Sequence, residues 1–255
     1  MADMKIEALD CGIGRTTILR DVTWSAEPGT MTAIVGVNGV GKSTLLRCLA
    51  GITRPHSGEV RIDGRNVHGL PPRKRAKLVT FVGQEETPPG DLTVGETVAL
   101  GRLPHRRPWE FGGHRENETV HDSLALVGME AEIDRPCDQL SGGQRRRVLL
   151  ARGLAQETPV ILLDEPTNHL DVHHQLHLLG VLRSTGRTVI ATVHDLDLAM
   201  VYFDSVVLLH GDGVLAAGPS GQVLTPDRMR TAFDVGALIA DLDHARNPHL
   251  IVDTL

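Results

Sequence analysis

The stretch Gly36-Val37-Asn38-Gly39-Val40-Gly41-Lys42-Ser43-Thr44 packs three glycines, a lysine and two hydroxyls into nine residues, directly after the apolar run Met31–Val35. Glycine weakens helices and strands, so a cluster marks unusual backbone angles or close approach to a ligand. Gly36 and Gly41, followed by Lys42 and Ser43, fit G-x-x-x-x-G-K-[ST]. Such a loop turns successive amides inward as an anion nest. Leu45, Leu46 and Leu49 then recur at helical spacing until Gly51. A helix N-terminus is therefore expected to face the same anion. In this reading Lys42 reaches the β- and γ-phosphates and the Ser43 hydroxyl ligates Mg²⁺.

Three further apolar runs resemble the one before this loop: Leu78–Val82, Val160–Leu163 and Thr188–Val193. Unbroken runs of this length suit strands covered on both faces, as in a parallel sheet. Each ends in polar or glycine residues: Gly83-Gln84, Asp164-Glu165 and His194-Asp195. Ligands of open α/β sheets bind at the carboxyl ends of strands, so four such ends predict one shared site. Asp164 is a candidate Mg²⁺ holder, Glu165 a base that orients a water, and His194 a γ-phosphate contact. Upstream, Ile6 and Ala8, Val22 and Trp24, then Val60 and Ile62 before Asp63-Gly64, alternate as antiparallel strands with those side chains inward.

Between Gln84 and about Ala155 the pattern turns helical. Thr93-Val94-Gly95-Glu96 has capping-box spacing, Glu110–Thr119 reads as loop, and Thr119–Gly128 as a helix with Val120, Leu124 and Val127 inward. Leu140-Ser141-Gly142-Gly143-Gln144, followed by Arg145, Arg146 and Arg147, opens another helix with Ser141 as N-cap. Locally, a ligand-binding helix end and a plain capped helix with solvated arginines are equally good readings. His169, His173 and His177 stand four apart. With thirteen histidines in the chain and no completing cysteine or carboxylate, they read as a helix face, not a metal site.

Composition excludes several classes. The net charge of −6 gives no reason to expect nucleic acid as a partner. Three unclustered cysteines offer no disulfide framework and suit a reducing compartment. The start Met1–Asp10 lacks the basic and apolar regions of a signal peptide. No apolar run approaches the roughly 20 residues that span a bilayer. Any membrane role must then come through another subunit.

Together these motifs resemble the ATP-binding subunit of ABC transporters over nearly the whole chain. Gly36–Thr44 resembles the Walker A loop, Gln84 the Q-loop glutamine, Leu140–Gln144 the LSGGQ signature, and Val160–Asp164 Walker B. Glu165 takes the place of the catalytic glutamate, Asn168–Asp171 of the D-loop, and His194 of the switch histidine. The resemblance implies an α/β P-loop NTPase (RecA-like) core with an N-terminal antiparallel β subdomain and an inserted helical lobe. The core lobe is expected over 1–84 and 156–255, the helical lobe over 85–155, in one ABC ATPase domain. It implies ATP and Mg²⁺ as cofactors. Gly36, Asn38, Gly39, Gly41, Lys42, Ser43, Thr44 and Ile13 would hold the nucleotide. Ser43, Gln84 and Asp164 would hold the metal, while Glu165, His194, Gln84 and Lys42 carry catalysis. Ser141, Gly143, Gln144 and Asp171 would serve across a head-to-tail homodimer. One position departs from the family: Ile13 stands where an aromatic, often tyrosine, stacks on adenine, and Trp24, in phase with Val22, reads as core. Leu92–Arg106 and the stretch Leu215–Phe233 resemble importers of iron–siderophore, haem or cobalamin chelates. This implies integral-membrane permease partners, a substrate-binding protein, and a place on the cytoplasmic face of the cell membrane. A soluble ATPase serving iron–sulfur cluster assembly is the alternative.

Overall fold

The computed structural model describes all residues except 85, 107–113, 169, 242, 244–246 and 255. Strands β1 (Met4–Ile13), β2 (Thr16–Ala26), β3 (Met31–Val35), β4 (Ser57–Ile62), β5 (Arg65–Asn66), β6 (Val79–Val82), β7 (Val160–Leu163), β8 (Thr188–Thr192), β9 (Ser205–His210), β10 (Gly213–Pro219), β11 (Gly236–Ala240) and β12 (His249–Asp253) form three sheets. The helices are α1 (Lys42–Leu49), α2 (Pro72–Arg75), α3 (Val94–Ala99), α4 (His114–Leu126), α5 (Gly142–Ala155), α6 (Val172–Ser184), α7 (Leu196–Tyr202), α8 (Ser220–Val223) and α9 (Pro226–Phe233).

The central sheet has the order β10-β9-β3-β8-β7-β6 and is parallel except at the β10–β9 edge. Its strands alternate between two apolar cores. Ala33, Val35, Ile161, Leu163, Val189 and Ala191 face the core shared with α5 and α6. Ile34, Val160, Leu162 and Ile190 face the core shared with α1 and the β1–β2–β4 sheet. Both faces are covered, so the strands need no polar alternation, which is why they read as continuous apolar runs. The N-terminal sheet is antiparallel, in the order β2-β1-β4-β5.

Three expectations are corrected. Ala8 is exposed, at φ 46°, where the β1–β2 register shifts, and Leu9 takes the inward place at 0% exposure. The bulge reverses the alternation beyond Ile6. The loop expected through Thr119 gives way to helix at His114, since Glu116 on α4 pairs with the buried Arg102 at 2.8 Å. Arg102 also reaches Glu157 at 2.6 Å and the Ala155 carbonyl at 2.7 Å, tying α4 to the end of α5. The sheet also holds β9 beside β3, an apolar strand that the four-run reading passed over. Trp24 is buried in the core, as expected, and Cys11, Cys48 and Cys137 are free and buried. Among the described residues no helix is long and apolar enough to cross a membrane.

Candidate active site

The carboxyl ends of β3, β6, β7 and β8 bring together the Gly36–Thr44 loop, Gln84, Asp164-Glu165 and His194. Asn38, Gly39, Lys42, Ser43, Gln84, Glu165 and His194 line one recess. Gly41 caps α1 at φ 111°, with no side-chain cap. A Cβ there would lie 2.9 Å from Ile18 Cγ2. Only glycine suits this turn, and it leaves the first amides of α1 for an anion. Lys42 is buried, and its ammonium donates to the carbonyls of Gly36 (2.8 Å) and Val37 (3.2 Å). Burial pushes its pKa down, against the pull of Glu165 and Asp164.

Asp164 is 2% exposed and accepts from Ser43 Oγ at 3.1 Å and from Thr192 Oγ1 at 2.8 Å. Thr192 Oγ1 in turn accepts the Glu165 amide at 2.7 Å. Glu165 sits at φ 49°, and its carboxylate contacts His194 Nε2 and Asn168 Nδ2. A non-glycine residue in the left-handed region is held there by its surroundings. Part of that hold is Arg146. Its guanidinium donates to Gly83 O (2.6 Å), Asp164 O (2.6 Å) and Glu165 O (3.1 Å).

Of the two readings of the arginines after the signature, the solvated one fails at Arg146. Arg146 is buried, and burial lowers its pKa while Asp164, Glu86 and Glu165 oppose that. Arg145 donates to Asp138 O (3.1 Å), and Arg147 to Val127 O (3.2 Å) and Gly128 O (3.3 Å). The sequence does carry a signal for Arg146: it stands three, four and seven residues before Leu149, Leu150 and Gly153, on the face of α5 that meets the core. Thr192, a hydroxyl inside an apolar strand, is likewise a site residue that sequence reasoning passed over.

Ser43 Oγ, Asp164 Oδ1 and Gln84 border the same cleft, an all-oxygen set suited to Mg²⁺. Among the described residues no cluster of three His, Cys, Asp or Glu could cage a metal. The cleft, about 700 Å³, continues to Gly12, Ile13, Gly14, Thr44 and His56. Ile13 is 69% exposed at the β1–β2 turn.

Other expected residues lie apart. Ser141 caps α5 in a box with Gln144: Gln144 N reaches Ser141 Oγ at 3.3 Å, and Ser141 N reaches Gln144 Oε1 at 2.9 Å. Ser141 is exposed and Gly143 half-buried, and neither lines the recess around Lys42. Asp171 caps α6, accepting His174 N at 2.9 Å and His174 Nδ1 at 2.8 Å. The His174 backbone bond, then the ring, hold its carboxyl below the usual range. His177 Nε2 meets Leu126 O at 3.0 Å and His173 packs edgewise on His174, while His169 lies outside the described residues. These contacts fit a helix face.

Residues 19–168 match the profile of the ABC transporter family. The chain belongs to the ABC transporter family. Its cleft is bordered by the loop that the resemblance identifies as Walker A. The ABC chain is 42% identical over 235 residues to the cobalamin import ATP-binding protein BtuD of Halobacterium salinarum, covering 91% of this chain and 58% of that protein. It thus spans little more than half the length of that relative. It is 35% identical over 255 residues to the ferric enterobactin transport ATP-binding protein FepC of Escherichia coli, covering 98% of this chain and 94% of that one. Among solved structures it resembles the dimeric bacterial ABC transporter cassette MJ0796. The TM-score is 0.77 at 26% identity, covering 85% of this chain and 98% of that one.

Proposed function

We propose that this ABC chain is the ATP-hydrolysing subunit of an importer for iron–siderophore chelates. The observation that carries the chemistry is the meeting of four strand ends around Lys42, Ser43, Gln84, Asp164, Glu165 and His194. Gly36, Asn38, Gly39, Gly41 and Thr44 cradle the phosphates with the α1 amides. Lys42 leaves its two carbonyls for the β- and γ-phosphates. Glu165 accepts a proton from the attacking water, and His194, in contact with that carboxylate, orients it toward the γ-phosphate. Ser43, Asp164 and Gln84 would hold Mg²⁺, which would supply positive charge against the charge that develops on the phosphates.

Two copies complete the site. Ser141, Gly143 and Gln144, which stand away from Lys42, cap the partner's γ-phosphate, and Asp171 contributes from the same side. The dimeric cassette to which the chain is similar supports this arrangement. The helical lobe, 85–155, together with Gln84, then meets two integral-membrane permease subunits, and a substrate-binding protein delivers the chelate. The assembly sits on the cytoplasmic face of the membrane, with this chain peripheral. The relative of 35% identity, matched over nearly all of both chains, supports a siderophore cargo. The relative of 42% identity favours cobalamin as the second reading.

Uptake of ⁵⁵Fe-siderophore in a deletion strain tests the proposal. Uptake should vanish and return with the gene. Normal iron uptake with lost cobalamin uptake would select the second reading.

A further inference from the structure

Ile13 leaves the base side of the cleft without the aromatic that the family places there. We propose that His56 supplies it: a nucleobase stacks on the His56 ring. This rests on the nucleotide-binding reading above. Among the described residues lining the cleft, His56 is the sole aromatic ring. It stands beside the Ile13 turn, and its ring is pinned there. Nε2 lies 3.1 Å from Gly14 O, and Nδ1 lies 2.8 Å from Thr17 Oγ1. A carbonyl only accepts, so Nε2 carries the proton and donates to Gly14, while Nδ1 accepts the Thr17 hydroxyl.

With both nitrogens engaged, the ring offers a ligand only its carbon edge and its π face. The backbone is fixed as well: His56 N donates to Asp10 O at 2.8 Å. The residue is nevertheless exposed, and the adjoining turn leaves open space, since a Cβ added at Gly14 meets nothing within 4 Å. A planar, rigid and exposed ring at the open end of a phosphate cleft is preorganised for stacking, with little ordering cost on binding. Stacking is tolerant of base identity, and neither His56 nor Ile13 offers a free polar atom to a base edge. The ring itself should therefore not discriminate adenine from guanine nucleotides.

Isothermal titration of the native chain with Mg²⁺-ADP, Mg²⁺-GDP and Mg²⁺-pyrophosphate tests this, alongside His56→Ala and His56→Phe. His56→Ala should weaken ADP and GDP about five- to tenfold and leave pyrophosphate, which has no base, unchanged. The unchanged pyrophosphate also shows that the variant is folded. His56→Phe should restore nucleotide affinity, because it returns a face without the two hydrogen bonds. Unaltered ADP affinity in His56→Ala would overturn the proposal. So would a His56→Phe variant as weak as His56→Ala, which would reduce the ring to a pin for the Gly14–Thr17 turn. A native chain that binds none of the three ligands would refute the nucleotide reading itself.

Discussion

The N-termini of α1 and α5 are both rich in glycine, and they are built in opposite ways. At α1 the cap is Gly41 in the left-handed region, with no side chain to bond the first amides. At α5 the cap is Ser141, closed by a reciprocal box with Gln144. The first end is incomplete without an anion, whereas the second holds itself together. The proposed pair of phosphate contacts would use this difference: one end would form the binding site, and the other would stay folded until a partner arrives. Asp164 joins the two. Its carboxylate takes Ser43 from α1, and its carbonyl takes Arg146 from α5.

The largest expected effect comes from trapping the proposed dimer, in which both ends would share one phosphate. Glu165→Gln should cut turnover by about 10²–10⁴-fold while ATP binding persists. The ATP-bound dimer should accumulate on a sizing column. Turnover near the native rate would remove Glu165 as the base. Next is the junction: Arg146→Met strips three buried carbonyls of their donor, and should lower stability by about 2–3 kcal/mol in urea unfolding. A loss under half that would mean water replaces the guanidinium.

Breaking the α1 end should cost less in folding and more in ligand. Gly41→Ala forces an L-residue to φ 111°, at about 1–2 kcal/mol, and tilts the amides. ATP affinity, measured by titration calorimetry, should fall while Ser141 chemistry is untouched. The smallest effect belongs to the self-sufficient end. Ser141→Ala should destabilise by about 1 kcal/mol, as a lost N-cap, with monomer ATP affinity intact and ATP-driven dimerisation weakened. Equal loss of monomer affinity would erase the distinction between the two ends.

How much could be read beforehand follows the range of the interactions. The Thr93–Glu96 capping box at α3, the Ser141 cap of α5, the Gly41–Lys42–Ser43 turn and the paired carboxylates after β7 are local, and their residue order states them. The parallel sheet was legible because burial on both faces removes alternation. The fate of Arg146 was not, since its partners lie 63, 18 and 19 residues away and are backbone atoms with no side-chain identity. The bulge at Ala8 and the start of α4 at His114 failed for the same reason: each depends on a neighbouring strand or on Arg102. His56 was silent because its meaning comes from Gly14 and Thr17, more than thirty residues earlier.

The burial of every cysteine gives the chain a chemically quiet surface. Cys11, Cys48 and Cys137 are 1%, 0% and 1% exposed. The hydrogen bond to Cys11, and then burial, hold the Cys48 thiol far above the ordinary range. A maleimide should therefore find nothing on the folded protein, and a thiol count should rise to three per chain only as it unfolds. New cysteines can then report without any native one being removed. Asn38→Cys and Ser141→Cys, both at exposed positions, place one probe beside each glycine-rich helix end. An oxidant that joins such chains in pairs when ATP is added, and leaves them single without it, would make the meeting of the two ends visible as a band on a gel.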